Sequence, residues 1–311
     1  MARIALISFI VGILSIFFQG NGKADEKLSV FVSIIPQKFF VQQIGKDLVD
    51  VQAMIHPGDD PHTYEPKPRQ MVAISKAQLY FAVGTGFEKA NLSKITATNP
   101  KLKVIHTDQG ITKLAMSAHH HHEDDHTEEH HEKKEHQEES KHDKDHQKHT
   151  GLDPHIWLSP PLVKIQARII SDALRKADPM HRDAYEANFK VFAAQIDQLD
   201  ADLRKIFRGK AGLQFMTFHP AWGYFAHTYG LKQLTVEIEG KRPKPAQLKD
   251  LIQHARESGI RVVFVQPQFS TKTAELIAKE IGGQIAFADP LAEDWMANLR
   301  EVSNKFQMAL K

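Results

Sequence analysis

Short runs of apolar, β-branched residues alternate with longer amphipathic stretches along the first hundred residues that follow Asp25. Leu28 to Ile35 is such a run, and Pro36 bounds it, so we predict a buried strand there. Further strands are predicted at Val49 to Ile55, Gln78 to Val83 and Leu102 to His106, with helical stretches between them such as Arg69 to Ala77. Strands that alternate with helices predict a parallel sheet with helices on both faces.

The same alternation returns in the last hundred residues. Strands are predicted at Leu213 to Phe218, Leu231 to Val236, Arg261 to Gln266 and Gln284 to Ala288. Helices are predicted at Ala221 to Tyr229, Ala246 to Glu257, Thr271 to Ile281 and from Ala292 onward. The pattern indicates two α/β lobes, which we assign to residues 25–178 and 209–311.

A long amphipathic helix is predicted between the two lobes, over residues 179–208. Its apolar residues are spaced alternately four and three apart, which places them on one stripe: Tyr185, Phe189, Phe192, Ile196, Leu199, Leu203 and Ile206. Asp178 and Pro179 are typical of an N-cap followed by a first-turn proline. The pattern fits a rigid strut between the lobes, and it fits equally well an ordinary surface helix packed on one of them.

The amino-terminal residues are typical of an export signal. Arg3 precedes the apolar run Ile4 to Phe18, and the small residues Gly22 and Ala24 predict cleavage after Ala24, so that residues 1–24 are a signal peptide. The alternative is an uncleaved membrane anchor, although the run is shorter than the roughly 20 residues that span a bilayer. We expect the mature protein in the periplasm.

Composition narrows the chemistry that the chain can perform. Its 311 residues, 41% of them hydrophobic, are enough for two packed cores. A formal net charge of +2 gives no reason to expect nucleic acid as a partner. Because the sequence has no cysteine, disulfides and thiolate metal sites are excluded, and a transition-metal site must be built from His, Asp and Glu.

Residues 119–149 interrupt the first lobe with a histidine-rich segment. It contains eleven histidines and eleven acidic residues but no aliphatic or aromatic side chain, so we predict a disordered, solvated loop. We hypothesise that it binds several zinc ions weakly and collects them, or senses their abundance; the candidate accessory ligands are His119, His120, His121, His122, His126, His130 and His131. The alternative is a solvated tether with incidental metal affinity.

Two literal zinc-protease patterns fall within this histidine-rich segment. His122 and His126 fit the usual pattern, and His126 and His130 fit its inverted form. Both patterns need an amphipathic helix packed against a core to aim their ligands, and the segment has no apolar face. We therefore interpret both as products of composition.

Three histidines outside the segment share a setting that suits metal binding. His62 lies just past a predicted strand, His219 directly ends another, and His155 lies in a proline-containing loop. In open α/β sheets ligands bind beyond the carboxyl ends of the strands. Prolines beside all three histidines stiffen the backbone, which favours a preorganised site. Sequence spacing alone does not show that the three converge.

Four linked motifs carry a resemblance to a known family, in the right order along the mature chain. They are Pro-Gly-x-x-Pro-His-x-Tyr-Glu-Pro over residues 57–66, Gly84-Thr85-Gly86-Phe87-Glu88, Asp153-Pro154-His155-Ile156-Trp157-Leu158, and Phe218-His219-Pro220-Ala221 with Tyr224-Phe225. The chain resembles the zinc and manganese solute-binding proteins of ABC importers, and most closely the periplasmic members that bind zinc.

The resemblance implies a fold and a ligand set. In this family two α/β lobes joined by a single long helix hold one metal ion in the cleft between them. The family's ligand positions correspond here to His62, His155, His219 and Asp289, and either Asp289 or a water completes the shell. Manganese-binding relatives carry a carboxylate at the third position, whereas three neutral imidazoles suit zinc. Because only the neutral ring binds metal, affinity should fall below a pH of about 6.5.

Other histidines and carboxylates are weaker candidates for supporting roles. His106 and His227 are candidates for structural roles or for contacts to a ligand. Glu237 and Glu239 are candidates to orient the third ligand or to face the transporter.

We therefore expect a monomeric, non-enzymatic protein that captures Zn(II) and delivers it to an ABC importer permease, with the ATPase on a separate chain. Two alternatives stay open at this point. A three-histidine site with an open position also describes a zinc hydrolase. The histidine-rich segment alone would also support a periplasmic zinc buffer or a surface adhesin.

Overall fold

The computed structural model describes residues 27–61, 63–116, 151–237 and 241–310. The predicted signal peptide and the histidine-rich segment lie outside these ranges. Within them, no helix combines the length and the apolar character that crossing a membrane requires.

The N-terminal lobe is built on a four-stranded parallel sheet. Its strands are β1 (Leu28–Val32), β2 (Val49–Ala53), β3 (Leu79–Ala82) and β4 (Lys103–His106), in the spatial order β2-β1-β3-β4. Its helices are α1 (Ile35–Gly45), α2 (Pro68–Ile74) and α3 (Gly86–Thr98). All strand pairs are parallel, as the alternating pattern predicts.

The first predicted strand is too long in the sequence interpretation. The chain leaves the sheet after Val32, and Ile35 and Pro36 begin α1. Proline is tolerated in the first turn of a helix, where its missing N–H would have no intrahelical partner. Pro36 therefore marks the start of a helix that the β-branched run conceals.

The C-terminal lobe repeats the same topology. Its strands are β5 (Gln214–Thr217), β6 (Lys232–Thr235), β7 (Val262–Val265) and β8 (Gln284–Phe287), in the spatial order β6-β5-β7-β8, and all of them are parallel. Its helices are α6 (Gly223–Tyr229), α7 (Pro245–Glu257), α8 (Lys272–Glu280) and α9 (Trp295–Ala309). The predicted strands and helices of this lobe are confirmed, with ends that differ by up to three residues.

Two further helices connect the sheets: α4 (Pro160–Ala177) and α5 (Arg182–Ile206). They lie antiparallel, with ion pairs from Arg168 to Glu186 and from Lys164 to Asp197. The long helix is confirmed, but it begins after a 3-10 turn at Pro179–His181. The Asp178 carboxylate accepts a hydrogen bond from the Tyr185 hydroxyl at 2.7 Å, which fixes the corner between the two helices.

The interpretation of α5 as a strut is supported by its contacts with both lobes. Phe192 packs against Phe39 and Phe40 of α1, with ring centroids 6.0 and 6.1 Å apart. Nearer the other end, the Asp200 carboxylate accepts a hydrogen bond from Tyr229 of α6 at 3.1 Å. A single hydrophobic core therefore runs from the first sheet along α5 to the second.

Candidate metal centre

The carboxyl ends of the two parallel sheets face a common cleft. Both sheets have a switch point where the strand order reverses, between β1 and β3 and between β5 and β7. Open α/β sheets bind ligands at such points. The cleft is lined by Pro61, Thr85, Gly86, Pro154, His155 and Trp157 from the segment assigned to the N-terminal lobe, and by His219, Gln268, Phe269, Pro290 and Leu291 from the C-terminal lobe.

His155 lies in the loop before α4 and is held by a carboxylate two residues earlier. Asp153 Oδ1 lies 2.9 Å from the His155 backbone nitrogen and 2.7 Å from its Nδ1. A carboxylate can only accept, so Nδ1 carries the proton and the neutral ring has its lone pair on Nε2. The His155 side chain is 7% exposed and that of Asp153 is 4% exposed. This arrangement prepares Nε2 to bind a metal.

His219 lies two residues after the end of β5, and its ring is held in the same way. Its Nδ1 lies 2.7 Å from Glu237 Oε2, and both side chains are buried. The Gln266 side chain makes two hydrogen bonds to the His219 backbone. Its Oε1 accepts from the His219 N–H at 3.3 Å, and its Nε2 donates to the His219 carbonyl at 3.0 Å. The ring stacks on Phe269 with centroids 5.2 Å apart.

Burial lowers the pKa of His219, although the neighbouring Glu237 carboxylate opposes this effect. The lowered pKa favours the neutral ring, which is the form that binds metal. The His155 and His219 ring centroids lie 5.3 Å apart. Two carboxylate–histidine pairs therefore converge on one side of the cleft.

Asp289 follows β8, and its carboxylate is engaged within its own lobe. Oδ1 accepts from Gln268 Nε2 and from the Leu291 backbone N–H, both at 2.9 Å. Two neighbours of Asp289, Pro290 and Leu291, line the cleft. The place of Asp289 as the fourth ligand stays a prediction.

His62 lies outside the described residues, although Pro61 beside it lines the cleft. Among the described residues, no group of three His, Cys, Asp or Glu side chains is arranged to hold a metal ion. The structure thus brings two of the four predicted ligands, His155 and His219, close together, and the complete ligand set stays a prediction.

The sequence predicted a role for some of the residues that contact the candidate ligands, but not for all of them. Glu237 was a candidate to orient His219 and makes that contact, whereas Glu239 lies outside the described residues. Asp153 was part of a motif but had no predicted role. The signal for it was its position two residues before His155, the spacing at which its carboxylate reaches both the backbone and the ring. His106 and His227 are exposed.

The N-terminal wall of the cleft is fixed by a buried carboxylate. Glu88 accepts hydrogen bonds from the backbone N–H groups of Val83 and Gly84 at 2.8 and 2.6 Å, and one from Ser33 Oγ. These bonds hold the turn that presents Thr85 to the cleft. Burial raises the pKa of Glu88, and the three hydrogen bonds oppose this effect.

Comparison with known families decides the classification. Residues 30–309 match the family described as the periplasmic component A of the zinc-uptake complex, ZnuA. The chain belongs to the ZnuA family. The resemblance drawn from the four motifs is therefore confirmed, and the family's description indicates a location outside the cytoplasm.

Individual relatives agree with this classification. The high-affinity zinc uptake system protein ZnuA of Bacillus subtilis is 32% identical over 270 residues, which cover 85% of this chain and 79% of that protein. A crystal structure of ZnuA is 40% identical with a TM-score of 0.80, and the match covers 92% of this chain and 100% of that one. A ZnuA deletion mutant with zinc bound has the same identity and TM-score and covers 92% and 99%.

A more distant structural relative has a second described activity. The laminin-binding protein Lmb of Streptococcus agalactiae is 25% identical with a TM-score of 0.74, and the match covers 92% of this chain and 100% of that one. It is described as bifunctional, with adhesin and metal-transporting activity. The predicted architecture of two parallel-sheet lobes is thus confirmed by the structure and by its neighbours.

Proposed function

We propose that this protein captures one Zn(II) ion in the cleft and delivers it to the permease of an ABC-type importer, whose ATPase is a separate chain. The observation that carries the proposal is the convergence of His155 and His219, each with Nδ1 bonded to a buried carboxylate. This second layer of hydrogen bonds fixes the ring orientation and raises the basicity of Nε2. The zinc-uptake relatives support the same conclusion.

The proposed ligands are His62, His155 and His219, with Asp289 or a water molecule in the fourth position. Three neutral imidazoles favour zinc over manganese, which prefers oxygen ligands. Asp153 and Glu237 act one step away from the metal, and their negative charges offset part of the charge that the bound ion brings into the cleft.

The proposed location is the periplasm, reached through a signal peptide cleaved after Ala24, and the proposed solution state is a monomer. The histidine-rich segment supplies weak accessory zinc sites in this proposal. Its collecting role is tested by deleting residues 119–149 and measuring zinc uptake during starvation. Unchanged uptake would contradict that role and leave the cleft site unaffected.

The two carboxylates beside His155 and His219 give no support to the hydrolase alternative. A zinc hydrolase needs a general base within reach of the metal-bound water. Both carboxylates beside the histidines, Asp153 and Glu237, are bonded to Nδ1 on the side of the ring away from Nε2. The named zinc-uptake relatives are transport proteins rather than enzymes.

The proposal is tested by competitive titration of the mature protein lacking residues 119–149, with zinc against manganese. We expect one tight zinc site, abolished or greatly weakened by His219→Ala. His254→Ala is the matched control, because His254 is exposed on α7 and contacts Gln214, at the opposite end of β5 from His219. A preference for manganese, or the same zinc affinity in both variants, would contradict the proposal.

A further inference from the structure

The loop that carries His155 is bonded to elements of the C-terminal lobe, although it leads into α4. We call residues 153–159 the His155 loop. Trp157 Nε1 donates to the carbonyl of Pro290, after β8, at 2.8 Å. In return, Trp295 Nε1 of α9 donates to the Trp157 carbonyl at 2.7 Å. These two bonds attach the far side of the His155 loop to the lobe that holds His219.

The near side of the His155 loop is attached by one hydroxyl. Tyr224, in the first turn of α6, is 2% exposed. Its hydroxyl accepts from the Leu114 N–H at 2.9 Å and donates to the Asp153 carbonyl at 2.8 Å. Burial raises the pKa of Tyr224 to about 12, so the hydroxyl keeps its proton at neutral pH. Donor and acceptor are both satisfied, which makes the contact directional.

Tyr224 contacts both strands of a short β-bridge. Ala115 pairs with Leu152 in an antiparallel bridge. The Met116 N–H donates to the Gly151 carbonyl at 2.9 Å, and the Asp153 N–H donates to the Leu114 carbonyl at 2.9 Å. We call residues 114–116 with 151–153 the root, because the chain between its two strands contains the histidine-rich segment. The root ends two residues before His155.

The residue before Tyr224 leaves space for the Asp153 side chain. A methyl carbon placed on Gly223 would lie 2.9 Å from Asp153 Oδ2, which is closer than such atoms approach in proteins. The first turn of α6 therefore contacts Asp153 at two points, through the Tyr224 hydroxyl and through the bare backbone of Gly223. Asp153 in turn holds both the backbone and the ring of His155.

We propose that Tyr224 is a positioning residue for zinc binding: its hydroxyl fixes Asp153, and through it the His155 ring, to the lobe that carries His219. The inference rests on the proposed zinc-binding function. It makes His155 and His219 one preformed half of the site. Loss of the hydroxyl would let the Asp153 carboxylate and the ring shift together, and zinc would be released faster.

The test compares Tyr224→Phe with Tyr229→Phe in the full-length mature protein loaded with one equivalent of zinc. Both tyrosines are buried on α6, and each variant removes a hydrogen-bonded hydroxyl. The Tyr224 hydroxyl bonds to Leu114 and to Asp153 of the His155 loop, whereas the Tyr229 hydroxyl bonds to Asp200. We expect Tyr224→Phe to raise the zinc dissociation constant about three- to tenfold, mainly through faster dissociation. We also expect it to alter the visible spectrum of the cobalt-substituted protein. Tyr229→Phe should change neither.

Gly223→Ala is a second variant, which places a methyl group against the Asp153 carboxylate instead of removing the bond to its carbonyl. Because the added methyl crowds Asp153 Oδ2, the unfolding free energy of this variant is measured beside its zinc dissociation rate, and the rates are compared on fully folded protein. We expect faster zinc release from this variant also. Identical dissociation rates and cobalt spectra for Tyr224→Phe and Tyr229→Phe would overturn the inference. If the unmodified protein had no tight zinc site, the proposed function itself would fail, which is a separate result.

Discussion

The two lobes share one strand order but differ in how their sheets are covered. The N-terminal sheet, α1 and the connecting helices belong to one continuous core, which also includes one side of the C-terminal sheet. The C-terminal lobe has in addition a second, smaller core formed with α7 and α8. The lobe with the separate core is also the one that holds His219 and attaches the His155 loop.

The difference shows that the elements that pack together in this molecule are not always neighbours in the sequence. Helix α9 is the last element, yet its Trp295 ring contacts Phe40 of α1 at a centroid distance of 5.1 Å. At the opposite end of α9, Phe306 stacks on Phe215 of β5 at 4.3 Å. The lobes are therefore joined by two helices, α5 and α9, although the chain passes between them once.

Phe306→Ala should have the largest effect, because this ring lies in the shared core. Phe306 is fully buried and contacts Phe215, Phe225 and Phe264. Truncating a buried phenylalanine costs about 3–5 kcal/mol. We expect chemical denaturation to show that loss in a transition that both lobes share. Met308→Ala, at a side chain 65% exposed on the same helix, is the control and should change little. A loss confined to one lobe would contradict the shared core.

Glu237→Gln should have the next largest effect, and it acts on zinc rather than on folding. The amide removes the charge that holds Nδ1 of His219. Loss of such a partner weakens metal affinity by about 10–100-fold. Competitive titration measures the change, with Glu301→Gln as a control because that carboxylate is exposed on α9. An unchanged affinity would show that the Glu237 contact does not tune the ligand.

Glu88→Gln should have the smallest effect of the three, and this effect is a change in how the unfolding free energy depends on pH. Burial raises the pKa of Glu88 above its unfolded value, so the folded state binds the proton more tightly. The stability that this adds is present below a pH of about 4.5 and is lost as the pH rises through the folded pKa. Glutamine does not titrate. The unfolding free energy of the parent, relative to the variant, should therefore fall as the pH rises above about 4.5, as urea titrations of the zinc-free protein would measure. A parallel pH dependence in both would contradict the shifted pKa.

Local pattern was sufficient to predict most of the fold. The alternation of strands and helices identified the eight strands of the described residues and their parallel arrangement, because most of these strands are short apolar runs that are visible locally in the sequence. The sequence did not show that β1 ends at Val32 and that α1 begins at Ile35. A short run of β-branched residues fits a buried strand and a buried helix equally well. Helix α4 was not identified from its pattern, although it is amphipathic.

The site was predicted less completely, for a different reason. His155 and His219 are 64 positions apart in the chain, and no local rule shows that their rings meet. The family motifs supplied that step. The role of Asp153, the contacts of Tyr224 and the bridging by α9 depend on packing between distant segments, which spacing along the chain does not encode.

The root has a consequence for how the sequence between its strands can vary. The Met116 nitrogen and the Gly151 oxygen are 2.9 Å apart, so the chain leaves and re-enters the lobe at one place. The entropy of bringing two points of a chain together grows only slowly with the number of residues between them, by about 0.6 kcal/mol for each doubling of that number. Residues can thus be added to or removed from this insertion at little thermodynamic cost to the lobes.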